Sequence, residues 1–253
     1  MDRLIFTAMT GMSDSMNRQR VIANNMANSQ TTGFRAEMIW STPVTLKGSG
    51  QNPGLEARAM VDGEVHGADM KPGVFTSTGR PLDVAIEGQS LLAVQAQDGT
   101  EAYTRRGDLT VSATGVLENG DGRPVIGNGG PITIPQGATL SITPDGTLLA
   151  ANTEQPNLPP QVLDKLKLAN PAGSSIAKGL DGLFRVVGGG ALPGDDTARV
   201  QPATLEQSNV NASDVLVQMI EAQRLFDMRT KLVATAKDID QSATSLMRIS
   251  SGG

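Results

Sequence analysis

Hydrophobic positions along this chain follow two rhythms, and the points where one gives way to the other divide it. In residues 1–36, Ile5, Met9, Met12, Met16, Ala23 and Met26 recur at steps of four, three, four, seven and three, with Gln19 in the gap. A seam of that kind marks a helix that packs lengthwise on another helix. A helix of about 27 residues would be about 40 Å long at about 1.5 Å per residue. An element so long and one-sided needs a partner over its stripe. It is expected to stop near Asn28. The segment Asn28-Ser-Gln-Thr-Thr-Gly-Phe-Arg35 is rich in residues that compete with helical hydrogen bonds or tolerate left-handed backbone. Gly33 is the expected site of a positive φ, with Phe34 next to it.

From Pro81 the period changes to two. Leu82, Val84 and Ile86 alternate with Asp83, Ala85 and Glu87, and Leu109 and Val111 with Asp108, Thr110 and Ser112. Ile132 and Ile134, then Leu140 and Ile142, repeat the theme. Glu87-Gly88, Asp98-Gly99, Thr114-Gly115, Asn119-Gly-Asp-Gly122 and Pro144-Asp-Gly146 supply turn chemistry between them. Later strands are expected in 162–169 and 183–187. Short alternating strands spaced by turns predict an antiparallel sandwich or small barrel. Residues 37–80 read as an extended connector with one or two strands, such as 56–61, pinned by Trp40 and Phe75. The segment 188–196 reads as a flexible exposed loop.

After Pro202 the helical rhythm returns. Asn211 or Ser213 can cap the start and Asp214 sits in the first turn, where negative charge suits the helix dipole. Leu225, Leu232, Ile239 and Leu246 recur every seven residues, with Met219, Ala222, Val233, Ala236 and Ala243 between them. A helix running to about residue 249 would span about 54 Å. The expected fold class is therefore α+β: long N- and C-terminal helices pairing as a coiled-coil-like layer, with an inserted all-β middle domain. The expected divisions are a helix and joint (1–36), the connector (37–80), the β-rich domain (81–200), and a lead-in strand with the last helix (201–253). Met26, Phe226 and Leu246 are left to face further copies, and a contact that does not close on itself builds a helical filament.

Composition narrows the chemistry. Of 253 residues 38% are hydrophobic and only 3% aromatic, so the cores are built from aliphatic residues and Met. The 29 glycines and 14 prolines fit a turn-rich middle. A net charge of −5 without any Lys/Arg run argues against a nucleic-acid surface. No 18-residue apolar window is present, so no membrane insertion is expected. The start lacks the pattern of a cleavable signal. With no cysteine there is no disulfide or thiolate metal site. No cofactor or catalytic site is expected. The single histidine, His66, stands in the connector, and no G-x-S-x-G elbow occurs. Asn119-Gly-Asp-Gly122 lacks the spaced acids of a calcium loop and reads as a hairpin turn. Gly173-Ser-Ser-Ile-Ala-Lys178 lacks the second glycine of a phosphate loop. Gly188-Gly-Gly190 is a linker signal, and Asp195-Asp196 lies in the same loop.

Several motifs, taken in order, resemble one family. ANNMANSQTTGFR (23–35) is similar to the N-terminal signature of bacterial flagellar rod and hook proteins, and LEQSNVN (205–211) with Met219-Ile220 and Gln223-Arg224 to their C-terminal one. PLDVAIEG (81–88), AYTRRGDLTV (102–111), GRPVIG (122–127) and ITPDGTL (142–148) resemble the shared middle domain. Total length and GRPVIG resemble the proximal-rod members most, with the distal-rod members as the alternative. The resemblance implies terminal helices in the inner tube of the rod, the β domain outside, and export unfolded through the flagellar type III apparatus. It implies partnership with copies of the chain and with other rod proteins, with no small-molecule substrate. On this footing assembly or packing roles are assigned to Ile5, Met9, Met12, Met16, Met26, Asn28, Gly33, Phe34, Trp40, Asn209, Met219, Leu225, Phe226, Leu232, Ile239 and Leu246. The rival reading from another class is a β-domain binding module or hydrolase on a coiled-coil stalk. It would need a concave polar site in residues 81–187, and the sequence offers no converging catalytic set there.

Overall fold

The structure is a computed structural model that describes residues 2–46, 57–152 and 159–250. Helix α1 spans Asp2–Ala27 and helix α2 spans Ala212–Ser250. The side chains of Ile5, Trp40 and Leu246 lie outside the described set, as does that of His66. Asn211 caps α2 through its Oδ1, which accepts the Ser213 N–H at 3.0 Å. The stretch read as a connector holds two strands, Glu37–Leu46 and Ala57–Ala68, paired with one another. No described helix is long and apolar enough to cross a membrane.

Contacts divide the chain into two units. One holds residues 1–27, 37–66 and 211–253; the other holds 28–36 and 67–210. In the helical unit α1 lies against α2. Arg229 on α2 donates from Nη1 to the Gly11 carbonyl and to Ser15 Oγ, and stands 3.5 Å from the Asp14 carboxylate. The covered face of α2 carries Val215 and Ala222, both buried, with Met219, Phe226, Arg229, Val233 and Ala236 half-buried on the same side. The covered face of α1 carries Met12, Ser15, Gln19, Ile22 and Met26.

These faces correct the expected seams. At about 100° per residue, the covered face of α1 lies roughly a sixth of a turn from the stripe read off the sequence, with Met12 and Met26 common to both. Met9 and Met16 are 56% and 57% exposed. On α2 the seven-residue series is likewise displaced, leaving Leu232 at 64% and Ile239 at 58% exposure and Leu225 half-buried. The reason is the guanidinium of Arg229. It takes a seat at Gly11 and Ser15, so the contact runs along Ser15 and leaves Met9 and Met16 outside it.

The β unit is antiparallel in every pairing described for its strands. Its largest sheet has the order Leu168–Ala169, Leu91–Gln95, Glu101–Thr104, Phe184–Val186, Ile176–Lys178. A second sheet joins Ala138–Ile142, Thr147–Asn152 and Gln161–Lys165. Strand Val200–Pro202 pairs with Val84–Ile86, and Thr204–Glu206 with Phe75–Ser77. Among the described residues the sheets do not close into a barrel, unlike one of the two forms the alternation predicted. Nor does one side of every strand face water. Leu92 and Val94 enter the larger core with Val84, Ile86, Leu109 and Leu117, while Leu91 and Ala93 enter a second cluster with Tyr103, Phe184 and Leu192. Phe75, expected as an anchor, is 38% exposed.

Leu192 also corrects the reading of segment 188–196 as a free loop. Gly188, Gly189 and Gly190 are exposed, but Leu192 is buried and its N–H donates to Tyr103 Oη at 2.6 Å. Ser90 Oγ donates to Asp195 Oδ2 at 2.8 Å, which fixes the next turn. The polar tips of Tyr103 and Ser90 thus hold a segment whose composition looked like linker.

Candidate functional site

Residues 28–36, expected to continue from the first helix as its joint, are bound into the β unit. The Thr31 N–H donates to the Asn28 carbonyl at 3.1 Å and the Phe34 N–H to the Thr31 carbonyl at 3.2 Å, two overlapping turns. Gly33 adopts φ 68°, and its N–H donates to the Glu206 carbonyl at 2.7 Å. Beyond it, Ala36 N–H donates to Asn209 Oδ1 at 2.7 Å, and the Ala36 carbonyl accepts the Asp69 N–H at 2.8 Å. Asn209 Nδ2 donates to the carbonyls of Asp69 and Lys71, and the Asn209 N–H donates to the Phe34 carbonyl. One side-chain amide therefore joins three backbone segments. Lys178 Nζ lies 3.4 Å from the Phe34 ring centroid and donates to the Arg35 carbonyl at 3.0 Å, a cation–π contact closing the outer side.

A buried ion cluster lies in the same clasp. Arg35, Arg105 and Glu206 are each 1% exposed. Glu206 Oε2 accepts from Arg105 Nε at 2.8 Å, with Arg105 Nη2 at 2.7 Å. Glu206 Oε1 accepts the Gly73 N–H at 2.9 Å and lies 2.7 Å from Arg35 Nη2. That 2.7 Å contact is an ion pair between two buried side chains. Arg105 spends its remaining donors on the carbonyls of Ile86, Gly88 and Ser90. Arg35 Nη1 donates to the Lys71 carbonyl. One carboxylate thus serves two guanidiniums. Burial pushes the Arg35 guanidinium below the ordinary arginine value, and Glu206 pulls it back up.

The chain enters the β unit at Asn28, leaves at Ala36, returns at Gly67 and leaves again at Val210. The bonds of Glu206 and Asn209 tie the segments next to these passages together. Of the positions singled out by sequence, Gly33, Phe34 and Asn209 meet here, and Asn28 opens the turn. Arg35, Arg105 and Glu206 were missed as a cluster. Each stood inside a quoted motif, but nothing in one sequence pairs charges so far apart along the chain.

The remaining assignments lie on the helices. Val217, Ile220, Met228, Leu232 and Ile239 are all more than half exposed and share one side of α2, opposite the side against α1. Phe226 and Met219 are on the covered side, so Phe226 does not face outward as expected. Met26 is half-buried along the α1 seam. Asn119-Gly-Asp-Gly122 forms a turn closed by Gly122 N–H donating to the Asn119 carbonyl at 2.8 Å. In Gly173–Lys178, the last residues form strand Ile176–Lys178. Among the described residues no group of three or more His, Cys, Asp or Glu could hold a metal ion.

Three family models match the chain. Residues 5–35 match "Flagella basal body rod protein", 85–150 "Flagellar hook protein FlgE/F/G D1 domain", and 201–246 "Flagellar basal body rod FlgEFG protein C-terminal". The chain is 40% identical to the flagellar basal-body rod protein FlgF of Escherichia coli K12 and 38% identical to that of Salmonella typhimurium, over 99% of this chain and 100% of each relative. It is 31% identical to the flagellar basal-body rod protein FlgG of Bacillus subtilis, over 97% of this chain and 99% of that relative.

Proposed function

The chain belongs to the flagellar basal-body rod protein family, and on that premise we propose that it is a structural subunit of the proximal part of the rod. Its greater identity to the FlgF relatives than to the FlgG relative supports the proximal position. In this reading the helical unit forms the inner layer, with α1 and α2 packed in a coiled-coil-like manner, and the β unit forms the outer layer. The subunit reaches the rod unfolded through the export apparatus, and its partners are its own copies and other rod proteins. It performs no catalysis and takes no small-molecule substrate. Its role is to carry torque by holding its neighbours.

One observation carries the assembly reading. Helix α2 has apolar residues on two opposite sides, and α1 covers only one of them. Burying one such side chain is worth about 1.5–3 kcal/mol, so Val217, Ile220, Met228, Leu232 and Ile239 make a continuous interface once other subunits arrive. Met9 and Met16 extend the same option to α1. The test is complementation in cells lacking the native gene. The wild-type chain should restore motility and co-purify with detergent-extracted basal bodies. Recovery of the chain only from the soluble periplasm would overturn the proposal.

A further inference from the structure

The ion cluster of the clasp draws on both ends of the chain. Arg35 comes from the segment after α1, Arg105 from the middle, and Glu206 from just before α2. Before Glu206 is in place, closing the β unit would bury two guanidiniums without a counter-charge, which is strongly unfavourable. Arg105 also carries the carbonyls of Ile86, Gly88 and Ser90, the approach to strand Leu91–Gln95 of the largest sheet. The strand that follows therefore depends on a side chain whose charge partner, Glu206, lies 101 positions further along the chain, a long loop to close. We propose that the clasp is a folding gate: strands 84–104 do not hold protected structure until Glu206 has paired with both arginines. A chain whose residues 204–209 have not yet arrived stays open. This rests on the reading of the protein as a subunit delivered unfolded, for which early closure would be an obstacle.

The experiment is refolding of the purified full-length chain from urea, with pulsed hydrogen exchange read by mass spectrometry. Amides of 84–104 should gain protection in the same kinetic phase as those of Gly33, Ala36 and Gly73, whose partners are Glu206 and Asn209. Protection of 84–104 in a phase at least tenfold faster would overturn the gate. Glu206→Gln keeps the shape and removes the charge. In the native state of that variant, exchange across 84–104 should accelerate at least tenfold, and acceleration confined to 33–36, 69–73 and 206–209 would also overturn it. If the variant does not fold, the wild-type kinetics decide. None of these readouts depends on incorporation into a rod, so failure of the gate and failure of the assembly reading are separate results.

Discussion

Gly33 lies directly against the backbone of Arg105. A Cβ on Gly33 would stand 2.4 Å from the Arg105 carbonyl carbon and 2.5 Å from both its oxygen and the Arg106 nitrogen. The φ of 68° independently disfavours any side chain. Gly33→Ala therefore meets two penalties, and the obstructing atoms are backbone that cannot swing aside. The expected loss is about 2–4 kcal/mol in urea unfolding of the β unit. An unchanged midpoint would mean that the segment 28–36 is not seated in the clasp.

Leu192 and Gly189 should respond in opposite ways although only three positions separate them. Leu192→Ala empties a site that is 3% exposed and should lower stability by about 2–5 kcal/mol. A Cβ at Gly189 would meet nothing within 4 Å, and a short tag inserted there should leave both the unfolding midpoint and motility as they were. Equal damage from the two changes would place the glycines in a contact.

Tyr103 should confer an alkaline limit. Its hydroxyl is held up to about 12, chiefly by burial and then by donation to Glu101 Oε1 at 2.7 Å. The folded value lies above the unfolded value of about 10, so the contribution is complete below pH 10 and is lost as pH rises towards 12. Tyr103→Phe removes the titrating group. Stability measured across that window should fall less steeply in the variant than in wild type, and parallel curves would refute the assignment.

On α2 the two sides should separate folding from assembly. Leu232→Asp changes an exposed residue, so the melting of the purified chain should move by less than about 0.5 kcal/mol while motility is lost. Ala222→Asp places a carboxylate on the covered side and should loosen the α1–α2 contact in the free subunit. Hydrogen exchange over α1 reads the difference. Retained motility with Leu232→Asp would move the assembly surface elsewhere.

How far the fold was legible can be judged from particular residues. Both helices, their ends near Asn28 and Asn211, the positive φ of Gly33 and the run of short strands were visible, because period, caps and turn residues are local signals. The rotation of the helix seam was not. It follows from Arg229 reaching Gly11 and Ser15, a contact between opposite ends of the chain. Leu192 was hidden for a related reason: its glycine and proline neighbours announce a loop, while its burial depends on a tyrosine far upstream. In the clasp, Asn209 and Gly33 could be picked out by motif, but the ion cluster uniting them could not.

The bond between the Ala36 N–H and Asn209 Oδ1 has a mechanical consequence. Tension applied between those two residues is met first by that bond and by Asn209 Nδ2 on the Asp69 and Lys71 carbonyls. Strands Ala138–Ile142, Thr147–Asn152 and Gln161–Lys165, which supply none of those partners, lie off that load path. They can lengthen, shorten or flex with little change in the force felt at the tie, as a shackle bears a cable's pull whatever hangs from it.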